Sequence, residues 1–210
     1  MSMINEKWAE LTAFTNNKEL KENLLSDIKK SYSSPGRSYH NLDHLLSLLT
    51  LCDENVAVLQ NPIVVGFSII YHDIIYDTQR RDNEEKSAEK AKRDLKALGL
   101  KRSFITEIEA FILATKDHEI PAEVVNKHDL AYFLDFDLAV LGLPGDEYEA
   151  YKKSIRQEYL QYRSYVYKEG RRQAMIQLLE KESLFYTNEF KERFEVQARE
   201  NINNELAVLI

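Results

Sequence analysis

The chain is short of residues that break or cross-link a backbone. Its 210 residues include one cysteine, four prolines and six glycines. A lone thiol, Cys52, excludes an internal disulfide, which fits a reduced, cytoplasmic setting. It lies in the apolar run Leu48-Leu49-Thr50-Leu51-Cys52, the setting of a buried structural thiol rather than a nucleophile. So few breakers mean few turns, which favours long helices over many short strands. Positive charge is also scarce: 28 Lys and Arg against 35 Asp and Glu leave a net charge of −7. That argues against a broad nucleic-acid-binding face and leaves room for a local basic pocket. The longest apolar stretch, Ile63 to Tyr71, is about half the length of a membrane span. The opening MSMINEKWAELTAF lacks the basic start and apolar core of a signal peptide. No segment alternates convincingly at period two, and there is no internal repeat or low-complexity tract.

What the chain does have is helical periodicity. Hydrophobic residues at 44% and charged residues at 30% are ordinary for a globular protein. Trp8, Leu11 and Phe14 begin one apolar stripe. Leu20, Leu24, Ile28 and Tyr32 continue it after the Asn16-Asn17 break. Asn41 is placed to cap a helix to about Cys52. Pro62, behind Asn61, opens a very apolar helix carrying IVVGFSIIYHDII. A charged amphipathic helix from Asn83 to Leu98 ends at Gly99. Further helices are expected from Ser103 to about Lys116 and at about 126–140. After the Leu141–Gly145 break, others are expected at about 146–166, 169–182 and 188–208. The expectation is an all-α protein forming one domain over 1–210. Its core covers about 18–141, with C-terminal helices at about 146–208. The recurring Tyr148, Tyr151, Tyr159, Tyr162 and Tyr165 fit packing of those helices better than a base-stacking groove.

Five histidines occur, and three stand in informative company. His40 and His44 are four apart and share a face if both are helical. His72 is followed by Asp73 inside an otherwise apolar helix, where the pair is costly to bury unless matched by a partner or a metal. Asp135 and Asp137 sit in the equally apolar Phe133-Leu134-Asp135-Phe136-Asp137-Leu138. A histidine from the earlier helix and an aspartate from the later one complete a two-His, two-Asp set. Such mixed nitrogen and oxygen ligands suit a divalent metal ion: Mn, Co, Mg, Zn or Fe.

The order His44, His72-Asp73, Asp137 resembles the H…HD…D signature of the HD superfamily of metal-dependent phosphohydrolases. Several flanking motifs are similar to those of a bacterial subfamily of predicted HD phosphohydrolases. They are Arg37-x-Tyr39-His40-Asn41-x-x-His44, Tyr71-His72-Asp73-x-x-Tyr76-Asp77, Asn83-Glu84 with Ser87, and Phe133-Leu134-Asp135-x-Asp137-Leu138. The resemblance implies an HD-like helical bundle with a C-terminal helical extension, and His44, His72, Asp73 and Asp137 as metal ligands. His40 is the rival of His44. The resemblance also implies a metal-dependent phosphohydrolase without supplying the substrate; the leading expectation is hydrolysis of a phosphomonoester or phosphoanhydride in a nucleotide or small phosphorylated metabolite. A nucleotide-binding sensor on a catalytically weak scaffold is the alternative. A di-iron oxygenase on the same scaffold needs further histidines, with His40 and His118 as candidates. The stretch His72 to Thr78 also looks like the HDxxEDT run of alarmone hydrolases, except that Tyr76 stands where those have glutamate.

Roles for the neighbours follow from position. Asp77, four residues past Asp73 on the expected helix, is the candidate to orient or deprotonate water; the plainer reading is a capping carboxylate. Arg37, His40, Lys116 and His118 are candidates to hold substrate phosphate. Glu84 is expected to steady a metal ligand from behind, or to serve the helix dipole as a first-turn acid; Asp135, the rival of Asp137, is expected to bond either backbone or a metal ligand. His128 reads as a surface or capping residue, and Arg156, Arg171 and Arg172 read as salt-bridging surface residues.

Overall fold

The helical periodicity is realised throughout the described residues. A computed structural model describes residues 3–209, and among them every regular element is helical, with no strand. No helix among the described residues is long and apolar enough to cross a membrane. The chain divides into two compact units, Met1–Phe133 and Leu134–Ile210.

The first unit holds α1 (Met3–Leu11), α2 (Lys18–Tyr32), α3 (Leu42–Glu54), α4 (Pro62–Tyr71), α5 (Asn83–Leu98) and α6 (Arg102–Ala114). The helix α7 (Lys127–Leu138) begins in it and runs unbroken past the boundary. α4 is its centre, packed by α1, α3, α5 and α6. Every residue from Val64 to Tyr71 is buried, which is why this helix is apolar on all sides rather than amphipathic. Asn17 and Asn41 cap α2 and α3 through their side chains, and Gly99 ends α5 in the left-handed region at φ 85°, a conformation glycine adopts at no steric cost. Asn61 precedes α4 but makes no side-chain cap. Instead the buried Asp129 of α7 accepts from the N–H groups of Gln60 and Asn61, at 2.9 and 2.6 Å. Burial works to raise the Asp129 carboxyl, but these bonds and that from His128 outweigh it and hold it below its ordinary value. His128 thus takes part in this cap, one of its two expected places.

One expectation is corrected here. α4 stops at Tyr71 instead of running on through His72, Asp73 and Asp77. The reason lies in other elements. Arg37 donates to the carbonyls of Asp73 and Ile74 at 2.6 and 3.0 Å. The Ser87 hydroxyl on α5 serves both the N–H and the carbonyl of Ile75, at 3.1 and 3.3 Å. Backbone groups that could propagate the helix are satisfied sideways.

The second unit contains a 3-10 turn (Ala139–Gly142), α8 (Gly145–Glu158), α9 (Ser164–Glu180), the short α10 (Asn188–Phe190), a π turn (Lys191–Glu195) and α11 (Val196–Val208). The helix expected over 146–166 ends at Glu158, because the Arg156 guanidinium takes the carbonyls of Tyr159 and Tyr162, at 2.8 and 3.4 Å, and lies over the Tyr167 ring. The next helix accordingly begins at Ser164, not 169. Arg171, expected at the surface, has a side chain only 9% exposed and forks onto the buried Glu205 at 2.8 and 3.1 Å. Tyr148 donates to the same carboxylate, and Arg171 donates to the Tyr151 hydroxyl. These two of the five tyrosines are packing and bonding groups of the helices, as their spacing suggested. Arg172 does pair at the surface, with Glu169.

Candidate metal centre

The local fold aims the histidines. Asn41 caps α3 by accepting from the N–H groups of Asp43 and His44, which fixes His44 in the first turn, pointing inward and buried. His72 follows the last residue of α4 and keeps helical dihedrals, with its N–H on the Ser68 carbonyl. Its ring is anchored too: Nδ1 lies 2.8 Å from the Ile69 carbonyl oxygen. A carbonyl oxygen only accepts, so Nδ1 carries the proton, and in the ring's neutral form the lone pair is at Nε2. That is the arrangement a metal-ligating imidazole requires.

Asp73 Oδ2 is the hub of the cluster. The Nε2 atoms of His72, His40 and His44 stand 3.2, 3.9 and 3.9 Å from it, and those of His44 and His72 are 3.3 Å apart. Burial works to raise the Asp73 carboxyl, yet His72, His40 and His44 outweigh it and hold it far below the carboxylate range. His72 Nε2 at 3.2 Å from a carboxylate oxygen is favourable either with a proton on Nε2, making the ring an imidazolium, or with its lone pair and the carboxylate sharing a cation.

Asp137 arrives on α7. The Phe133 ring of that helix meets His72 edge-on, with centroids 5.9 Å apart, and Asp137 lies one turn further along the same face. His44, His72 and Asp137 each present one ligand atom, all within 4.8 Å of one another, close enough to hold a metal ion. Two imidazoles and a carboxylate, with Asp73 beside them, fit a borderline divalent cation. His40, which the sequence left as a rival to His44, joins the cluster through Asp73.

No family model, curated protein or solved structure matches this chain.

The other candidates fall in varied places. Arg37 is a strut: besides Asp73 and Ile74 it donates to the His40 carbonyl at 3.1 Å. Its guanidinium stands 5.0 Å from the Tyr32 ring centroid and 5.4 Å from that of Tyr76. Tyr76 also stacks on His40 at 4.2 Å, and Tyr39 packs against both His40 and His44. These aromatic walls escaped sequence reasoning, since nothing in a tyrosine's spacing says that it faces a histidine. Asp77 does not share a helix face with Asp73, because the helix has ended; it is exposed and accepts from the Gln79 N–H at 2.9 Å. Lys116 pairs with Glu85 and donates to the Arg81 carbonyl at 3.1 Å. His118 sits in the turn after α6 in the left-handed region, φ 49°, which histidine tolerates better than most side chains. Glu84 is half-buried; burial, with the Asp73 charge adding, pushes its carboxyl up. Asp135 takes the backbone-bonding role that was one of its two expected places, in the second unit's own loop. It accepts from the N–H groups of Tyr186 and Thr187 and the Thr187 hydroxyl, at 2.7, 2.8 and 2.7 Å, and burial pushes it up to about 6.

Proposed function

We propose that the chain is a divalent-metal-dependent phosphohydrolase that cleaves a phosphomonoester or phosphoanhydride in a nucleotide or small phosphorylated metabolite. The observation that carries this reading is the convergence of His44, His72 and Asp137 within 4.8 Å, with the His72 lone pair turned inward by the Ile69 carbonyl. The resemblance of the ordered His44, His72-Asp73, Asp137 set to HD phosphohydrolases supports it. In such a site His44, His72, Asp73 and Asp137 hold the cation. A bound divalent cation supplies an activated water at neutral pH and polarises a phosphoryl oxygen. Asp73, kept ionised by the surrounding imidazoles, contributes the negative charge that such a cation needs. His40, on the rim of the cluster and stacked on Tyr76, is placed to donate a hydrogen bond to a substrate oxygen.

The test is phosphate release from p-nitrophenyl phosphate and a nucleotide panel in Mn, Co, Mg, Zn or Fe(II). Activity that needs one of these ions and disappears in both His72→Ala and Asp73→Ala is expected. Full activity in both variants overturns the proposal. The commitment of Arg37 and Lys116 to bonds within the protein favours one second reading, a nucleotide-binding sensor on a catalytically weak scaffold. Tight nucleotide binding by calorimetry without phosphate release distinguishes it.

A further inference from the structure

A groove of about 540 Å³ opens in the first unit beside the turn that carries His72 and Asp73. Ile75 and Asp77 line it from the turn, Arg80 from the loop that follows, and Lys86, Lys90 and Arg93 from α5, with Glu89 between them. Four cations meet two carboxylates in one groove of a chain whose net charge is −7. The spacing of 86, 89, 90 and 93 makes this a single face of α5.

The cations are held in place from below. Asp94, a buried carboxylate, accepts from Lys90 Nζ at 2.8 Å and from Arg93 Nε at 3.1 Å. Lys90 is 14% exposed, so its ammonium is positioned rather than free to wander. Asp94 takes only the Nε of Arg93, whose side chain is 71% exposed, and the guanidinium's terminal fork is left toward solvent. Arg80 and Lys86 pair with Asp82 and Glu89 at 2.7 and 2.8 Å, but both are exposed pairs. Such pairs contribute little, and a denser anion displaces the carboxylate at small cost.

The groove is close to the metal cluster by covalent necessity. Ile75 is two residues from Asp73, a span of at most about 7 Å, and Ser87 pins the Ile75 backbone to α5 from both sides. We propose that this groove binds a second, non-reacting phosphate group of the substrate, so that the preferred substrates carry more than one phosphate. This rests on the phosphohydrolase reading for the word substrate, but the groove's affinity for phosphate does not. Arg80 and Arg93 supply the forks that grip phosphate oxygens, and Lys90 supplies a fixed point charge.

The probe is inorganic tripolyphosphate, titrated calorimetrically into the full chain in EDTA. Binding that weakens with added KCl is expected. The double variant Arg80→Glu/Arg93→Glu, with Arg80→Gln/Arg93→Gln as a milder pair, is expected to weaken it at least tenfold with unchanged circular dichroism. His72→Ala is expected to bind tripolyphosphate as the parent does. Absent or salt-insensitive binding, undiminished binding in both double variants, or loss of binding in His72→Ala overturns the proposal. With metal present, the Gln pair is expected to raise KM at least tenfold for a nucleoside triphosphate and leave p-nitrophenyl phosphate unchanged. If no substrate is hydrolysed at all, the phosphohydrolase reading fails while the EDTA titration still decides the groove.

Discussion

The carbonyl oxygen of Ile69 lies 2.8 Å from Nδ1 of His72, one turn ahead of it. The last turn of α4 therefore chooses the tautomer of the ring that follows it. Carbonyls at a helix end lack partners within the helix, so one is free to accept this proton. The consequence is that, in the neutral ring, the lone pair is on Nε2, which faces Asp73 and His44. His72→Ala is expected to weaken Mn, Co or Zn binding on the order of 100-fold or more, read by calorimetry on metal-stripped protein. Equal metal affinity in this variant would remove His72 from the ligand set.

Arg37 distinguishes a strut from a phosphate binder. In Arg37→Met the carbonyls of Asp73 and Ile74 lose their donor, at a cost of about 2–3 kcal/mol. The expected fall in melting temperature is roughly 5–10 °C, with weaker metal binding as the His72-Asp73 turn loosens. A role confined to substrate predicts the opposite pattern, an unchanged melting temperature and a raised KM.

Asp77 offers a similar contrast. Its carboxylate caps the Gln79 N–H in an exposed turn, and asparagine keeps an oxygen able to do so. Asp77→Asn is therefore expected to hold kcat within about threefold of the parent. A general base in that position predicts a loss of about 10²–10⁴, and a loss of that size would return Asp77 to the reaction.

Much of this was legible in the sequence because it is local. Asn41 ahead of Leu42, Pro62 at the start of an apolar run and Gly99 after Leu98 are signals written within a few residues, and α3, α4 and α5 begin or end there. His72 and the pair Asp135 and Asp137 stood out for a different reason, since polar groups in apolar runs need a partner; His44 rather than His40, and Asp137 rather than Asp135, came from spacing and the family resemblance. What sequence did not reveal depends on distant side chains. Arg37 ends the helical stretch before Asp73 from 36 residues away. Asp129 caps α4 from 68 residues away, so the carboxylates of α7 divide between capping work and the candidate metal site with no local mark of which does what.

Gly142 shows how tightly the second unit is closed. A Cβ there meets Cβ of Phe194 at 2.5 Å and its carbonyl oxygen at 2.8 Å, and the backbone of the π turn has no side-chain rotamer with which to retreat. Gly142→Ala is expected to cost about 1–3 kcal/mol, lowering the melting temperature by roughly 3–10 °C. An unchanged melting curve would mean that this turn shifts freely.

The buried pair in the same unit sets an acid limit on stability. Burial works to raise the Glu205 carboxyl, but the bonds from Arg171 and Tyr148 outweigh it and leave it below its ordinary value. A carboxyl held lower in the folded than in the unfolded chain binds fewer protons when folded. Its contribution is present in full above the unfolded value of about 4.3 and is lost as pH falls through the lower folded one. Melting temperatures measured from pH 7 to pH 3 are expected to drop below about pH 4, and Glu205→Gln should flatten this part of the fall. The neutral side chain also leaves the Arg171 charge buried without its counter-ion. Stability at pH 7 should accordingly fall by about 3–5 kcal/mol, whereas Arg171→Met/Glu205→Met, which removes both charges, should lose much less. If the double variant is as unstable as the single one, packing rather than the unpaired charge carries the cost.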